Sequence, residues 1–416
     1  MSPVSQQNNV NTKPALGLVE FVSLMALMTS LVALSIDAML PALHQIGLEL
    51  GIDDAQQTHL IISLFFIGMA LGQLYYGPVS DTKGRRYVII SGLIVFAIGT
   101  VICMLAESLS VLLVGRVIQA FGVSGPRIAA LAVIRDQYAG EAMARVMSFI
   151  MMVFILVPML APSFGQAILY LSSWRHIFTS FLFIGLLIGL WFFIRQPETL
   201  PRDKRLPFSW SQLRVSSSFI LSHKLVMYYT IASGLIFGSF LAYISASQTV
   251  FQHIYATGDL FPLYFALLAF SIGLASFVNG NLVMRFGMRK LCTWALFGWM
   301  GFSTLLTILC LIYGGVPPFR QTVSVFFAAF FCIGILFGNV NAMAMQPLGN
   351  MAGMGAAIIG SFSSVISVLT AVFIGSYIEH TITPIALGFM GFGALALFFF
   401  WFAEPRLAKP VSFIAQ

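Results

Sequence analysis

The sequence predicts an all-α membrane protein of twelve transmembrane helices arranged as two pseudo-symmetric six-helix bundles, on three observations. Of its 416 residues 59% are hydrophobic and only 8% charged, whereas a soluble domain carries roughly a quarter charged residues to keep its surface hydrated. Apolar runs recur at close to the roughly 20 residues needed to cross about 30 Å of hydrocarbon. A polar stretch near the middle of the chain separates six such runs from six more. Together these exclude a soluble enzyme, a DNA-binding protein and a disordered chain. The 40 Phe, 36 Gly and 20 Met suit helices that pack closely in lipid.

With charges, prolines and Gly/Asn clusters as boundaries, the spans fall at about 18–43, 57–78, 87–106, 109–133, 145–170, 174–194, 224–251, 260–284, 290–313, 321–346, 354–378 and 382–403. Met1 to Leu16 is polar and contains proline, and the first apolar run is too long for a signal-peptide core, so no cleaved signal is expected. The Lys and Arg residues set the orientation, because they are retained on the cytoplasmic side. With the N-terminus inside, seventeen of the 21 are cytoplasmic: Lys13, Lys83, Arg85, Arg86, Arg135, Arg145, Arg195, Arg202, Lys204, Arg205, Arg214, Lys224, Arg285, Arg289, Lys290, Arg406 and Lys409. Outer loops keep Arg175 and Arg320. Both termini are therefore expected inside, and the net charge of +7 reads as a topology signal rather than a nucleic-acid footprint.

Residues 195–223 include PETLPRDKRLP, whose prolines and alternating charges read as a linker between bundles 1–194 and 224–416. Asp81-Thr-Lys-Gly-Arg-Arg86 follows span 2, and Met284-Arg-Phe-Gly-Met-Arg-Lys290 follows span 8. Their glycines, Gly84 and Gly287, lie about half a chain apart, as an internal repeat requires. The four cysteines, Cys103, Cys292, Cys310 and Cys332, all sit in apolar stretches, with neither a disulfide nor a zinc spacing.

A charge at the bilayer centre costs about 2.5–3.5 kcal/mol on insertion scales, so each needs a reason. Three lie deep in predicted spans: Asp37 in span 1 and Arg116 and Arg127 in span 4. Asp37 and Arg116 fall at similar depth and can meet across the bundle. Arg116 and Arg127 are eleven residues apart, which leaves only about 20° between them around a helix and about 16 Å along it. A carboxyl in apolar surroundings is pushed towards its protonated form, and a neighbouring Arg opposes that push. It can then exchange a proton as water access changes. The alternative is an Asp37–Arg116 pair that only fixes packing.

Gly77-Pro-Val-Ser-Asp-Thr-Lys-Gly-Arg-Arg86 is the sharpest motif. Its glycines permit a tight turn, Pro78 is expected to end span 2, and Asp81 can accept hydrogen bonds from arginine or a helix N-terminus. Retention of positive charge explains the arginines but leaves the Gly-Pro-x-Ser-Asp spacing unexplained. With this loop the chain resembles the major facilitator superfamily, and within it the twelve-span drug:proton antiporters of the Bcr/CflA type. The likeness covers nearly the whole chain. It is carried further by Asp37-Ala-Met-Leu-Pro41, Arg116-Val-Ile-Gln-Ala-Phe-Gly122, Arg135-Asp136, Pro158-Met-Leu-Ala-Pro-Ser-Phe-Gly165, Trp174-Arg175 and Pro197-Glu198.

The resemblance implies that Asp37 responds to protons and cations, that Arg116 takes part in proton coupling, and that Gln119 lines the same cavity. Gly77, Asp81, Gly84, Arg85 and Arg86 would form a cytoplasmic gating loop. Pro158, Pro162 and Gly165 would form the kinked strip of span 5 used between halves in antiporters. A midplane cavity would be built from spans 1, 4, 5, 7, 8, 10 and 11. The chain departs from the family where Val157 and Ala161 replace glycines, where Leu131 occupies an arginine position one turn from Arg127, and where Met284 stands opposite Asp81.

Arg127, Tyr243, Gln248, Asn339 and Asn341 are further cavity candidates, since polar groups in lipid contact substrate or bond between helices. Glu20 is expected to be hydrated at the inner edge. His44, His59, His176, His253 and His380 fall in or near outer loops and His223 in the linker, without a metal pair. No phosphate-binding Gly-x-x-x-x-Gly-Lys-Ser/Thr loop and no catalytic His/Asp/Glu cluster or Ser-Lys pair is present, which argues against an ATPase, a membrane enzyme or a receptor. The expected protein is a monomeric, cofactor-free exporter of the bacterial inner membrane, exchanging protons for small amphipathic compounds such as antibiotics. A proton-coupled transporter of a metabolite, amino acid or siderophore is the alternative.

Overall fold

The computed structural model describes residues 16–52, 55–138, 140–205 and 210–403. Lys13, Arg406 and Lys409 of the charge count, and residues 206–209 of the linker, lie outside them. Among the described residues there is no strand, as expected where no water is available to satisfy the backbone. Twelve long helices follow in order: span 1 Leu18–Asp37, span 2 Leu60–Lys83, span 3 Arg85–Met104, span 4 Leu109–Gln137, span 5 Gly140–Leu171, span 6 Arg175–Arg195, span 7 Lys224–Gln248, span 8 Phe261–Phe286, span 9 Met288–Ile312, span 10 Phe319–Met345, span 11 Ala352–Gly375 and span 12 Thr383–Phe402. Eleven of them contain stretches long and apolar enough to cross a membrane, and span 5 contributes the shorter apolar helix Leu156–Leu171. A short helix, Trp210–Ser222, lies in the linker.

Packing inside the two halves follows one pattern. Span 3 packs on span 4, span 2 on span 4, span 1 on span 5 and span 3 on span 6; adding six to each number gives further packed pairs, 9 on 10, 8 on 10, 7 on 11 and 9 on 12. Across the halves, span 2 meets span 11 and span 5 meets span 8, as a two-fold axis between repeats demands. The four cysteines are free and buried.

The repeat extends to backbone detail. Gly84 closes span 2 at φ 102° and Gly287 closes span 8 at φ 79°, a region open to glycine and costly for side-chain-bearing residues. Two residues after each, an arginine reaches the end of the last helix of its half: Arg86 Nη2 donates to Phe193 O at 2.8 Å, and Arg289 Nη1 to Ala403 O at 2.6 Å. Pro78 does not end span 2, which runs on to Lys83. Proline's φ fits a helix, and Thr82 Oγ1 donates to Pro78 O at 2.9 Å in the turn that follows. Termination waits for Gly84.

Ion pairs hold the first half at both ends. Glu20 is not simply hydrated: Arg195 Nε and Nη2 donate to its two oxygens at 2.7 and 2.8 Å, and Trp191 Nε1 adds a third bond at 3.1 Å. That ties the start of span 1 to the end of span 6. At the opposite end Trp174 Nε1 and Arg175 Nη1 both donate to Glu49 Oε2, at 2.7 and 2.6 Å, which gives the Trp-Arg pair a physical role.

At Gly84 an added Cβ would strike the Glu198 carboxylate. Gly84→Ala is therefore expected to lower stability by about 1–3 kcal/mol through its positive φ and to displace Glu198. Gly287→Ala, where an added Cβ meets nothing, should pay the backbone cost alone. Thermal unfolding of both variants in detergent checks the difference.

Candidate functional site

The loop after span 2 is a network assembled from four separated segments. Arg85, 8% exposed, donates from Nη1 to Asp81 Oδ1 at 2.6 Å and Ser80 Oγ at 3.0 Å, and from Nε to Asp136 Oδ2 at 3.1 Å. Glu198 caps the start of span 3, accepting the Arg85 and Arg86 backbone N–H groups at 3.0 and 3.1 Å, where helix ends leave donors unpaired. Thr199 Oγ1 donates to Asp136 Oδ2 at 2.8 Å. The sequence motifs named Asp136 and Glu198 without giving either a task. Gly77 lies against span 11, where an added Cβ would stand 3.3 Å from the Ala357 methyl.

The second cluster lies inside the membrane. Span 1 loses regular helix at Asp37 and continues as a 3-10 turn, Leu40–Ala42, and the short helix Leu43–Glu49. Pro41 explains the break, since it has no N–H for the Asp37 carbonyl four residues earlier. The Met39 N–H donates to Ile36 O, and the Ser35 carbonyl takes another donor. That donor is Arg116 Nη1 at 3.0 Å.

Arg116 has 0% exposure. It also donates to Gln119 Oε1 at 2.7 Å and from Nε to Ile61 O at 3.2 Å, and its guanidinium lies 4.3 Å over the Phe65 ring. Asp37 and Arg116 reach similar depth, as their positions require, but no ion pair joins them. Carbonyl dipoles and an aromatic face serve the guanidinium instead, and its Nη2 is left without a hydrogen-bond partner among the described residues. Gln119 completes the set, passing its Nε2 hydrogen to Thr100 Oγ1 at 2.9 Å. It is wholly buried between spans 3 and 4, with both ends of its amide bonded there.

Asp37 is 5% exposed and has no hydrogen-bond or ion-pair partner among the described residues. Tyr243 of span 7, in the other half, has a buried hydroxyl that is likewise without a partner among the described residues. The Tyr243 ring packs 4.6 Å from Phe330, with Phe326, Phe240 and Phe265 around it. Each half thus buries an unpaired polar group, an acid in the first and a hydroxyl in the second. Gly165 lies directly against the Ala38 carbonyl, so the span 5 strip, with Pro158 half-buried and Pro162 buried, supports span 1 beside Asp37.

The remaining candidates are distributed. Arg127 is half-buried, donates to the Met69 thioether at 3.2 Å and is in no ion pair. Asn339 and Asn279 exchange side-chain bonds at 2.7 and 3.4 Å between spans 10 and 8, while Asn341 is exposed. Gln248 is bonded to the first half (below). His59 is buried, and His44 packs on His253 with ring centroids 4.6 Å apart, so these histidines belong to a seam between halves rather than to open loops.

The architecture and the two clusters define a polytopic membrane transporter built from two six-helix repeats. The family model described as Major Facilitator Superfamily matches residues 25–371, and the chain belongs to that superfamily. It is 29% identical over 386 residues to the uncharacterized MFS-type transporter YdgK of Bacillus subtilis, covering 90% of this chain and 94% of that protein. It is 26% identical over 393 residues to the bicyclomycin resistance protein homolog of Haemophilus influenzae, covering 94% and 97%. Among solved structures, the D-xylose-proton symporter superposes with a TM-score of 0.76 at 15% identity, over 94% of this chain and 99% of that one. The human organic anion transporter MFSD10 gives 0.68 at 17%, over 94% and 100%. The two solved structures share the fold.

Arg116→Lys keeps the charge but not the planar fork that serves three separated acceptors. It is expected to cost about 1–3 kcal/mol by leaving buried acceptors unpaired, read as a lower unfolding temperature, with Gln119→Leu adding little on top because the two belong to one network.

Proposed function

We propose that this protein is a proton-coupled antiporter that exports small amphipathic compounds such as drugs across the bacterial inner membrane, with both termini in the cytoplasm. The observation that carries the reading is the Asp37 carboxyl, buried in the membrane interior without a cation partner among the described residues. An acid so placed is costly to keep charged away from water and marks an ion or substrate path. When water reaches it from one side it releases a proton, and when a cationic or polar ligand group arrives it can be displaced. Arg116, anchored to the Ser35 and Ile61 carbonyls, positions span 1 around that acid without neutralising it by contact.

Alternating access then links proton and substrate. The halves rock about the midplane, so that Asp37 faces one side and then the other, and proton and ligand occupy it in turn. Similarity to a bicyclomycin resistance homolog supports a drug-like load, and the charge distribution supports cytoplasmic termini. Arg127 favours a second reading, an anionic metabolite, because it is a half-buried guanidinium without a carboxylate partner. Loss of drug tolerance on deletion of the gene supports the first; unchanged tolerance supports the second.

Asp37→Asn keeps size and shape while removing the titrating group. In proteoliposomes with an imposed pH gradient, gradient-driven flux is expected to vanish with the unfolding temperature little changed. Undiminished flux would remove Asp37 from the mechanism.

A further inference from the structure

We propose that Gln248 is the latch that holds the two halves together at the end of the molecule remote from the linker, and that breaking its bonds is a step of the transport cycle. It sits at the end of span 7, 4% exposed. Its Oε1 accepts the His44 N–H at 3.0 Å, and its Nε2 donates to Pro41 O at 2.9 Å and to Gln252 Oε1 at 2.8 Å. The first two partners are backbone groups of the opposite half. A backbone N–H can only donate and a carbonyl can only accept, so they fix which way the amide points.

Three features make this a latch rather than general packing. The His44 and Pro41 groups are available because span 1 breaks after Asp37, so the acid site and the latch share one local deformation. Span 7 continues beyond Gln248 as a π-helix, Thr249–Ile254, a rare geometry associated with functional sites. It brings Thr249 Oγ1 to 3.3 Å from His59 Nε2 and the His253 ring against His44. A further bond between the halves lies midway along span 2, where Ser361 Oγ donates to Ala70 O at 2.8 Å. Rocking about the middle separates Gln248 from span 1. Water that enters the opened end replaces the lost bonds, so the net cost stays near that of one or two exchanged hydrogen bonds.

The test is a pair of distances measured by spin labels. One pair, at the exposed Leu48 and Leu260, reports the latch end; the other, at the exposed Val19 and Met284, reports the linker end. The native cysteines are all buried, which leaves the introduced ones to be labelled. Gln248→Leu is expected to shift the ratio of separated to closed latch ends by about tenfold, the effect of one or two net hydrogen bonds, while the linker-end distance shortens. Gln248→Glu gives a sharper signature. A protonated carboxyl can donate to Pro41 O and accept from His44 N–H as the amide does, whereas a carboxylate cannot donate. Its latch end should therefore close in mildly acidic buffer and separate in alkaline buffer. The wild type at both pH values serves as reference, because the His44, His59 and His253 side chains lie in the same seam. Wild-type distances in Gln248→Leu, or a separation in Gln248→Glu that acid does not reverse relative to the wild type, would overturn the latch. The proposal rests on alternating access but not on Asp37, and the distances need neither substrate nor gradient. Failure of the Asp37→Asn experiment leaves it standing.

Discussion

The interruption of span 1 between Asp37 and Pro41 is the constraint on which the rest depends. A proline that cannot donate leaves the Asp37 carbonyl without its helical partner, and in hydrocarbon every such group must be satisfied locally. The chain responds with a 3-10 turn, and several backbone groups around the turn take partners from other spans. Ser35 O receives Arg116, Pro41 O and His44 N–H receive Gln248, and Ala38 O lies against Gly165, where only a residue without a side chain fits. Spans 4, 5 and 7 are all referred to one deformed turn. Asp37 is carried at its centre.

The treatment of the two buried charges differs in a way that matters for chemistry. Arg116 could have been neutralised by Asp37 and is instead held by carbonyl dipoles, a ring face and an amide, with Nη2 unpartnered among the described residues. A tight ion pair would have held the acid in its charged form, since a nearby cation favours the carboxylate. Contact with carbonyls spares it that. The arginine keeps its geometry and the acid keeps its freedom to exchange, as a coupling site needs.

Much of this was legible in the sequence. Hydrophobic run length gave the spans, because bilayer thickness imposes it, and the Gly84/Gly287 spacing gave the repeat, because only glycine tolerates that turn. Pro78 misled because a proline signals the loss of one N–H, not the end of a helix that a later glycine terminates. Asp37 and Arg116 were found by the cost of charge in lipid, but their non-contact was not, since depth along two helices says nothing of the direction in which a long side chain finds partners. Gln248 had only its polarity to mark it. The pairing that gives it a role spans 204 residues and depends on how two halves dock, which no local pattern encodes. Glu198 and Asp136 were visible as motif letters, and their task emerged only where four segments meet.

The distribution of strong and weak bonds separates what must stay rigid from what must move. The ion pairs Arg85 with Asp81 and Asp136, Arg175 with Glu49, Arg195 with Glu20 and Arg205 with Glu198 lie within the first half and the linker. Hydrogen bonds that cross between halves use uncharged groups: the Gln248 amide, the Ser361 hydroxyl and backbone N–H and carbonyl groups. Charge-assisted bonds are roughly twice as strong as neutral ones, and in a partly dehydrated seam they would be slow to break. Neutral bonds exchange with water at little net cost. A half locked by ion pairs can rock as a unit, and a seam closed by neutral bonds can open and close repeatedly on the small free energy that a proton gradient and a ligand supply.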